Sequence, residues 1–387
     1  MGIHFLSIAC LISLSTAAFA APPSPPVIPP LLVGTNMNYG SAAGEVMRHV
    51  QTSFYLPDSG LYAQSLTQRE PDFMWGNGVV FTALAGATRH DKQYLPLMNR
   101  FFKSLDRYWD AKAAVPGYEP SPTAGRGNDK YYDDNAWMVL AFLEAYDLTA
   151  DKAYVQRADQ TLTFVLSGWD EKRGGGIWWH ETHKGNGKNT CVNAPAAVGC
   201  LRLADYTPKS RTTKSIEMAK RLVDWTTQTL QADDGRYYDN INVDTGQVER
   251  TKWTYNTALM MRADLGLYRR TGDATYLDKA KRTAKAAEAF ADKDSGVFTE
   301  KSYKFTHLLV EADLEMFRAT GEEYLLRRAI VNADHAYNDW KRQPPPELIE
   351  NASIARMLWL MADMQTERGL KFWQRVEQKS SATKQPG

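Results

Sequence analysis

Cysteine is scarce in this chain, with three residues, and one of them, Cys10, lies in an apolar leader. Cys191 and Cys200 remain. An exported protein can bridge them, but Asn193 reads as a helix start, which sets Cys200 about two turns into that helix and far from Cys191, so the residues leave the pairing open. No CxxC pair offers metal-ligand spacing. Excess charge of either sign is also missing. With 46 basic and 45 acidic residues the formal net charge is +1, which removes the electrostatic case for nucleic acid or an anionic membrane as partner. After the leader no apolar run is long enough to span a bilayer. Strand signals are poor, so no glycine-rich phosphate loop follows a strand, and a GxSxG elbow is absent. "HETH" at His180–His183 lacks the HExxH spacing of zinc helices and sits in a glycine-rich loop. It reads as a polar wall of a binding site. No metal and no cofactor is expected.

The leader carries an apolar segment from Ile3 to Leu14 and an Ala18-Phe19-Ala20 cleavage signature, although its first residues lack Lys and Arg. Residues 1–20 read as a signal peptide and 21–40 as a stiff, Pro-rich linker. Residues 41–375 form one expected domain, and 376–387 a polar tail. The product is expected to be exported, monomeric, and without a transmembrane segment once the signal is removed.

Helical patterns fill the domain. "AYDLTADKAYVQRA", "LYRRTGDATYLDKA" and "MFRATGEEYLLRRA" each close one helix, turn at Thr-Gly/Ala-Asp/Glu, and open another. Tyr154, Tyr276 and Tyr324 follow one turn later and pack the new helix back. Helices before the turn, such as "NAWMVLAFLEAY", are apolar almost all round. Those after it are amphipathic, with Tyr154, Val155, Ala158, Leu162 and Val165 forming one stripe. Buried helices alternating with half-exposed ones describe an inner ring wrapped by an outer ring. About twelve such helices make an all-α (α/α)6 toroid; an open solenoid is the alternative.

Aromatic residues are plentiful, with 11 Trp and 19 Tyr. Many stand beside Gly, Asn and Asp in two long loops, Gly168 to Asn193 and Gln231 to Asn256, and loops of that length carry function. Both loops lead into inner helices, whose starts read "PDFMWGNGVV", "KYYDDNAWM", "NTCVNAPAA" and "KWTYNTALM". Flat rings beside amides and carboxylates suit a sugar cleft. The candidates for substrate binding are Trp75, Asn77, Tyr132, Trp137, Trp178, Trp179, Asn193, Trp253, Tyr255 and Asn256; Asn193, Asn256 and Asp133 also read as helix caps.

Asp133 and Asp134 stand side by side where a buried helix begins. Two carboxyls in a partly dry cleft cannot both ionise easily, so one keeps its proton while the other stays an anion. Glycoside hydrolysis uses that division between a proton donor and an anion facing the anomeric carbon. The bland reading is an acidic pair that merely opens a helix, as "ADDG" at Ala232–Gly235 marks an ordinary turn.

"YYDDNAWM", "GGGIWW", the pair Lys188-Asn189 with Asn193 behind it, and "WTYNTALMMRADLGLYRRTGDATYLDKA" occur in the order and character of glycoside hydrolase family 76, the α-1,6-mannanases. The chain resembles that family from about Ser41 to Arg368. It departs at Thr257-Ala258, where many members read Gln-Gly, and in the small residues of "WGNGVV". The resemblance implies an (α/α)6 barrel that hydrolyses α-1,6-linked mannose backbones with retention, α-mannan as the partner, Asp133 as nucleophile and Asp134 as general acid/base. Two rival readings share the toroid: a sugar epimerase or unsaturated-uronyl hydrolase, and a non-catalytic mannan-binding protein. If the pair failed, Asp239 or Asp244 in the second long loop would be the next base to consider.

Overall fold

A computed structural model describes residues 27–33, 35–182, 184 and 187–381. The expected signal peptide, residues 21–26 of the Pro-rich segment, His183 and the last six residues lie outside the described residues.

Thirteen α-helices are described: α1 (Tyr39–Phe54), α2 (Met74–His90), α3 (Leu95–Ser104), α4 (Tyr132–Thr149), α5 (Lys152–Ser167), α6 (Thr190–Leu203), α7 (Lys209–Leu230), α8 (Thr254–Thr271), α9 (Ala274–Ala286), α10 (Thr306–Thr320), α11 (Glu323–Arg342), α12 (Leu348–Met364) and α13 (Glu367–Ser381). The even-numbered helices form the inner ring. Each packs on the next, and α12 packs back on α2, so the ring closes. Closure excludes the open solenoid. The outer helices lie against this ring, with α1 covering the seam beside α12. The expected domain end at residue 375 falls inside α13, because Leu370, Phe372, Trp373 and Val376 are buried against the barrel and carry the helix on to Ser381. Similarly, α1 begins at Tyr39, ahead of the expected boundary.

The helix classes follow from the residue pattern. Almost every side of α4, α6 and α12 is buried, whereas α5 buries only Tyr154, Ala158, Thr161, Leu162, Phe164 and Val165. Val155, expected in that stripe, is partly buried. Glycines let inner helices come close: a Cβ on Gly86 of α2 would lie 2.7 Å from Trp359 Cβ of α12. The three echoed turns share a left-handed residue after the helix, at Ala150, Gly272 and Gly321. Asp151 and Asp273 then cap the next helix through Ala153 N–H and Thr275 N–H.

Six helices around an axis leave a centre that apolar side chains do not fill, and a buried ionic lattice occupies it. Arg356 binds Glu144 through two 2.7 Å contacts and reaches Glu311 at 3.1 Å. Arg89 joins Glu144 to Asp363, and Arg262 joins Glu311 to Glu315. Each charge has a partner from another inner helix, which offsets its desolvation.

Strands are minimal. Two hairpins, β1–β2 (Tyr55–Leu56, Leu61–Tyr62) and β3–β4 (Trp109–Asp110, Gly117–Tyr118), precede α2 and α4. A three-stranded patch, β5–β6–β7 (Lys188–Asn189, Asn240–Ile241, Val248–Glu249), ties the two long loops together ahead of α6 and α8. All of this lies at the end where the inner helices start.

Candidate active site

Five inner-helix starts surround a cleft of about 600 Å³. Phe73 and Trp75 come from α2 and its approach, and Tyr131, Asp133, Asp134 and Trp137 from α4. Trp179, Asn189 and Cys191 come from the loop and start of α6, Asp239, Asn240, Trp253 and Tyr255 from that of α8, and Phe305 from that of α10. The rings make a continuous wall. Phe305 stacks on Trp75 at 5.1 Å and on Tyr255 at 4.4 Å, and Trp253 leans on it at 5.5 Å.

Asp133 and Asp134 share the half-buried floor but differ in what holds them. Asp133 Oδ2 accepts from Trp179 Nε1 at 2.8 Å and from the Cys191 thiol at 3.4 Å, and its Oδ1 accepts from Asp134 N–H at 2.9 Å. Burial pushes its pKa up from 3.8 to about 6, and those donors restrain the rise. Asp134 has no such donors among the described residues. Burial, the charge of Asp133 and the nearby Asp72 push it well above the carboxylate range. One carboxyl is therefore built to be the anion and the other to keep a proton.

Of the ten expected substrate-binding residues, Trp75, Trp137, Trp179, Trp253 and Tyr255 line the cleft. The other five do not. Tyr132 points away from it, buried and stacked on Phe164 of α5 at 4.8 Å. Trp178 is 2% exposed and donates to Asp170 at 2.6 Å, with buried Lys188 over its ring; it plugs the loop. The glycines before it make room for neighbours, since a Cβ on Gly176 would sit 2.7 Å from the Trp225 ring.

Asn77, Asn193 and Asn256 are fully buried, and they are not helix caps either: the caps are Phe73, Asn189 and Trp253. Four asparagines form a repeated clasp. Asn77, Asn135, Asn193 and Asn351 each donate to the carbonyl four residues earlier, at Phe73, Tyr131, Asn189 and Glu347. Asn135 and Asn193 also grip both backbone groups of Tyr118 and Ile177, pinning the incoming strand to the helix. Asn256 acts differently, donating to Asp239 at 3.2 Å. Likewise Asp133 does not cap α4; Tyr131 occupies that position.

His180 is no cleft wall. It is buried behind Tyr131 and Trp179 and paired with Asp129 at 3.1 Å. Cys191 and Cys200 are free and buried. Asp244 is exposed in the β6–β7 turn, whereas Asp239 is in the cleft, fixed by Asn240 and Asn256 and raised in pKa by burial. Sequence reasoning missed Phe73, Tyr131, Asn189, Cys191, Asn240 and Phe305. All but Asn240, which lies in β6 of the second long loop, stand within a few residues of an inner-helix start, which was the usable signal.

Residues 38–348 match the model of glycosyl hydrolase family 76. The chain belongs to this family. A mannan endo-1,6-alpha-mannosidase of Candida glabrata is 30% identical over 131 residues, 32% of this chain and 29% of that protein. The chain spans less than half the length of the curated relatives it matches. Among solved structures, a family 76 alpha-mannanase from Bacteroides thetaiotaomicron superposes with a TM-score of 0.78 at 23% identity, covering 88% of this chain and 97% of that one. An inactive variant of a Salegentibacter alpha-1,6-mannanase, with two consecutive aspartates replaced by asparagine and α-1,6-mannotriose bound, superposes at 0.72 and 22% identity, covering 84% and 100%. These likenesses establish the fold as that of the family 76 barrels.

Proposed function

We propose that this family 76 protein is an exported, retaining glycosidase that cleaves α-1,6-mannosidic bonds in a mannan-type glycan, without a metal or cofactor. The observation that carries the reading is the asymmetry of the acidic pair, in which Asp133 is held by three donors and Asp134 by none among the described residues. In the first step Asp133 attacks the anomeric carbon and Asp134 gives its proton to the departing oxygen. In the second, Asp134 takes a proton from water as that water displaces Asp133 and frees the sugar. Trp179 keeps Asp133 aimed, and the wall of Trp75, Trp137, Trp253, Tyr255 and Phe305 offers faces to the C–H sides of successive pyranoses. Asp239 is placed to accept from a sugar hydroxyl. The consecutive aspartates replaced in the inactive Salegentibacter mannanase support the same assignment. Incubation with linear α-1,6-mannan should release new reducing ends, and Asp133→Asn or Asp134→Asn should each cut the rate by about 10³-fold or more. Near-normal turnover in either variant would overturn the role given to that residue.

A further inference from the structure

The start of α12 contributes nothing to the cleft. It opens on a second groove of about 430 Å³, bounded by the loop 63–73 before α2, by Lys304 before α10, and by Pro346 and Glu347 before α12. Two of these loops are stitched together. Leu66 N–H donates to Pro346 at 3.0 Å, and Leu348 N–H to Gln64 at 2.9 Å, so the groove is a fixed feature of the backbone. Phe73 and Trp75 border both groove and cleft.

Three features suit this groove to a ligand. Phe73 is 53% exposed and Leu66 45%, and they are the only large apolar side chains so exposed within the described barrel; the other two, Val27 and Val33, precede it. A bare ring on the ridge between two hollows suits the C–H face of a sugar. Asp72 is 8% exposed; its Oδ1 accepts from Phe73 N–H at 2.8 Å, while Oδ2 has no donor among the described residues. Oδ2 is not sealed from solvent, and Asp72 lines the groove, so a sugar hydroxyl can reach it there. Burial raises the Asp72 pKa to about 7, so it can also donate. Finally, Lys304 Nζ and Glu347 Oε2 pair at 2.6 Å and present a donor and an acceptor together. Two carboxyls against one ammonium disfavour a phosphate.

We propose that this groove holds a single mannosyl branch of a glycan whose backbone lies in the cleft, with Phe73 under the branch and Asp72, Lys304 and Glu347 on its hydroxyls. A linear chain would have to climb the Phe73 ridge, whereas a branched one forks there. The proposal rests on the glycosidase reading above. Its test is calorimetric binding to Asp134→Asn protein, which separates it from turnover. The probes are linear α-1,6-mannotetraose and the same tetrasaccharide with one mannosyl branch at O2. The branch should tighten binding about fivefold or more. Gln68→Trp, which fills the groove from an exposed position, and Lys304→Ala should each erase that gain while leaving the linear probe within about twofold. A branch that adds no affinity, or variants that weaken both probes equally, would overturn the proposal. Failure of the wild-type protein to cut linear mannan would instead refute the glycosidase reading, and the binding result would stand apart from it.

Discussion

Replacing Asp133 by Asn should disable the protein and make it more stable. Folding moves this carboxyl from an ordinary pKa of 3.8 to about 6. Keeping it ionised at neutral pH therefore costs on the order of 3 kcal/mol, less whatever water in the open cleft screens. Asn keeps an oxygen for the Trp179 N–H at the same place and sheds the charge, at the cost of the bond from Asp134 N–H, which then meets an amide nitrogen. It also relieves Asp134, whose raised pKa owes its second-largest part to Asp133. A net gain of about 1–2 kcal/mol is expected. The sign follows from linkage. A carboxyl whose folded pKa is raised contributes stability below about pH 4 and loses it as the pH climbs through 6. The advantage of the variant should thus vanish near pH 4, grow between 4 and 6, and level off above. Thermal melts across that range measure it, at roughly 2 °C per kcal/mol for a chain of this size. A variant less stable than wild type at neutral pH, or a difference that ignores pH, would refute the reasoning.

The pH profile of kcat/KM should be bell-shaped, with an acid limb near 6 from the pair losing its first proton and an alkaline limb from its second. Cys191→Ala removes one donor from Asp133 and should move the acid limb upward, whereas Cys191→Ser should restore it; an unmoved limb would mean the thiol contact does nothing. Trp179→Ala should lower kcat by at least tenfold, since it releases Asp133 and one wall of the cleft, while Trp178→Ala should lower Tm and leave the kinetics of the folded fraction nearly intact. Arg356→Ala should cost about 3 kcal/mol, because it leaves buried Glu144 with Arg89 alone and buried Glu311 with Arg262 alone in the barrel centre, measurable by denaturant unfolding.

The ring architecture was legible because three helix pairs repeat one pattern: a helix apolar on nearly all sides, a Thr-Gly/Ala-Asp/Glu turn, then a striped helix. The acidic pair was legible because two adjacent charges at the head of such a helix conflict with burial. The asparagines misled for an equally physical reason. An amide that could bind a sugar hydroxyl satisfies backbone groups just as well, and its recurrence at the fourth position of α2, α4, α6 and α12 is the mark of a fold repeat. Trp178 and Trp179 could not be told apart from sequence, since neighbours in an extended segment face opposite ways. The Phe73 ridge needed coordinates, because nothing local reveals that α12 stands beside it.

The central claim, that Asp133 and Asp134 work as nucleophile and acid/base of one double displacement, is tested most directly by stereochemistry. Neighbouring short side chains at a helix start can separate their carboxyls by only about 5–7 Å, which overlaps the retaining spacing of about 5–5.5 Å. Proton NMR of a fresh digest of linear α-1,6-mannan follows the new anomeric signals before mutarotation mixes them. α-Mannose ends should appear first; β-mannose ends appearing first would mean inversion, which one double displacement by this pair cannot give.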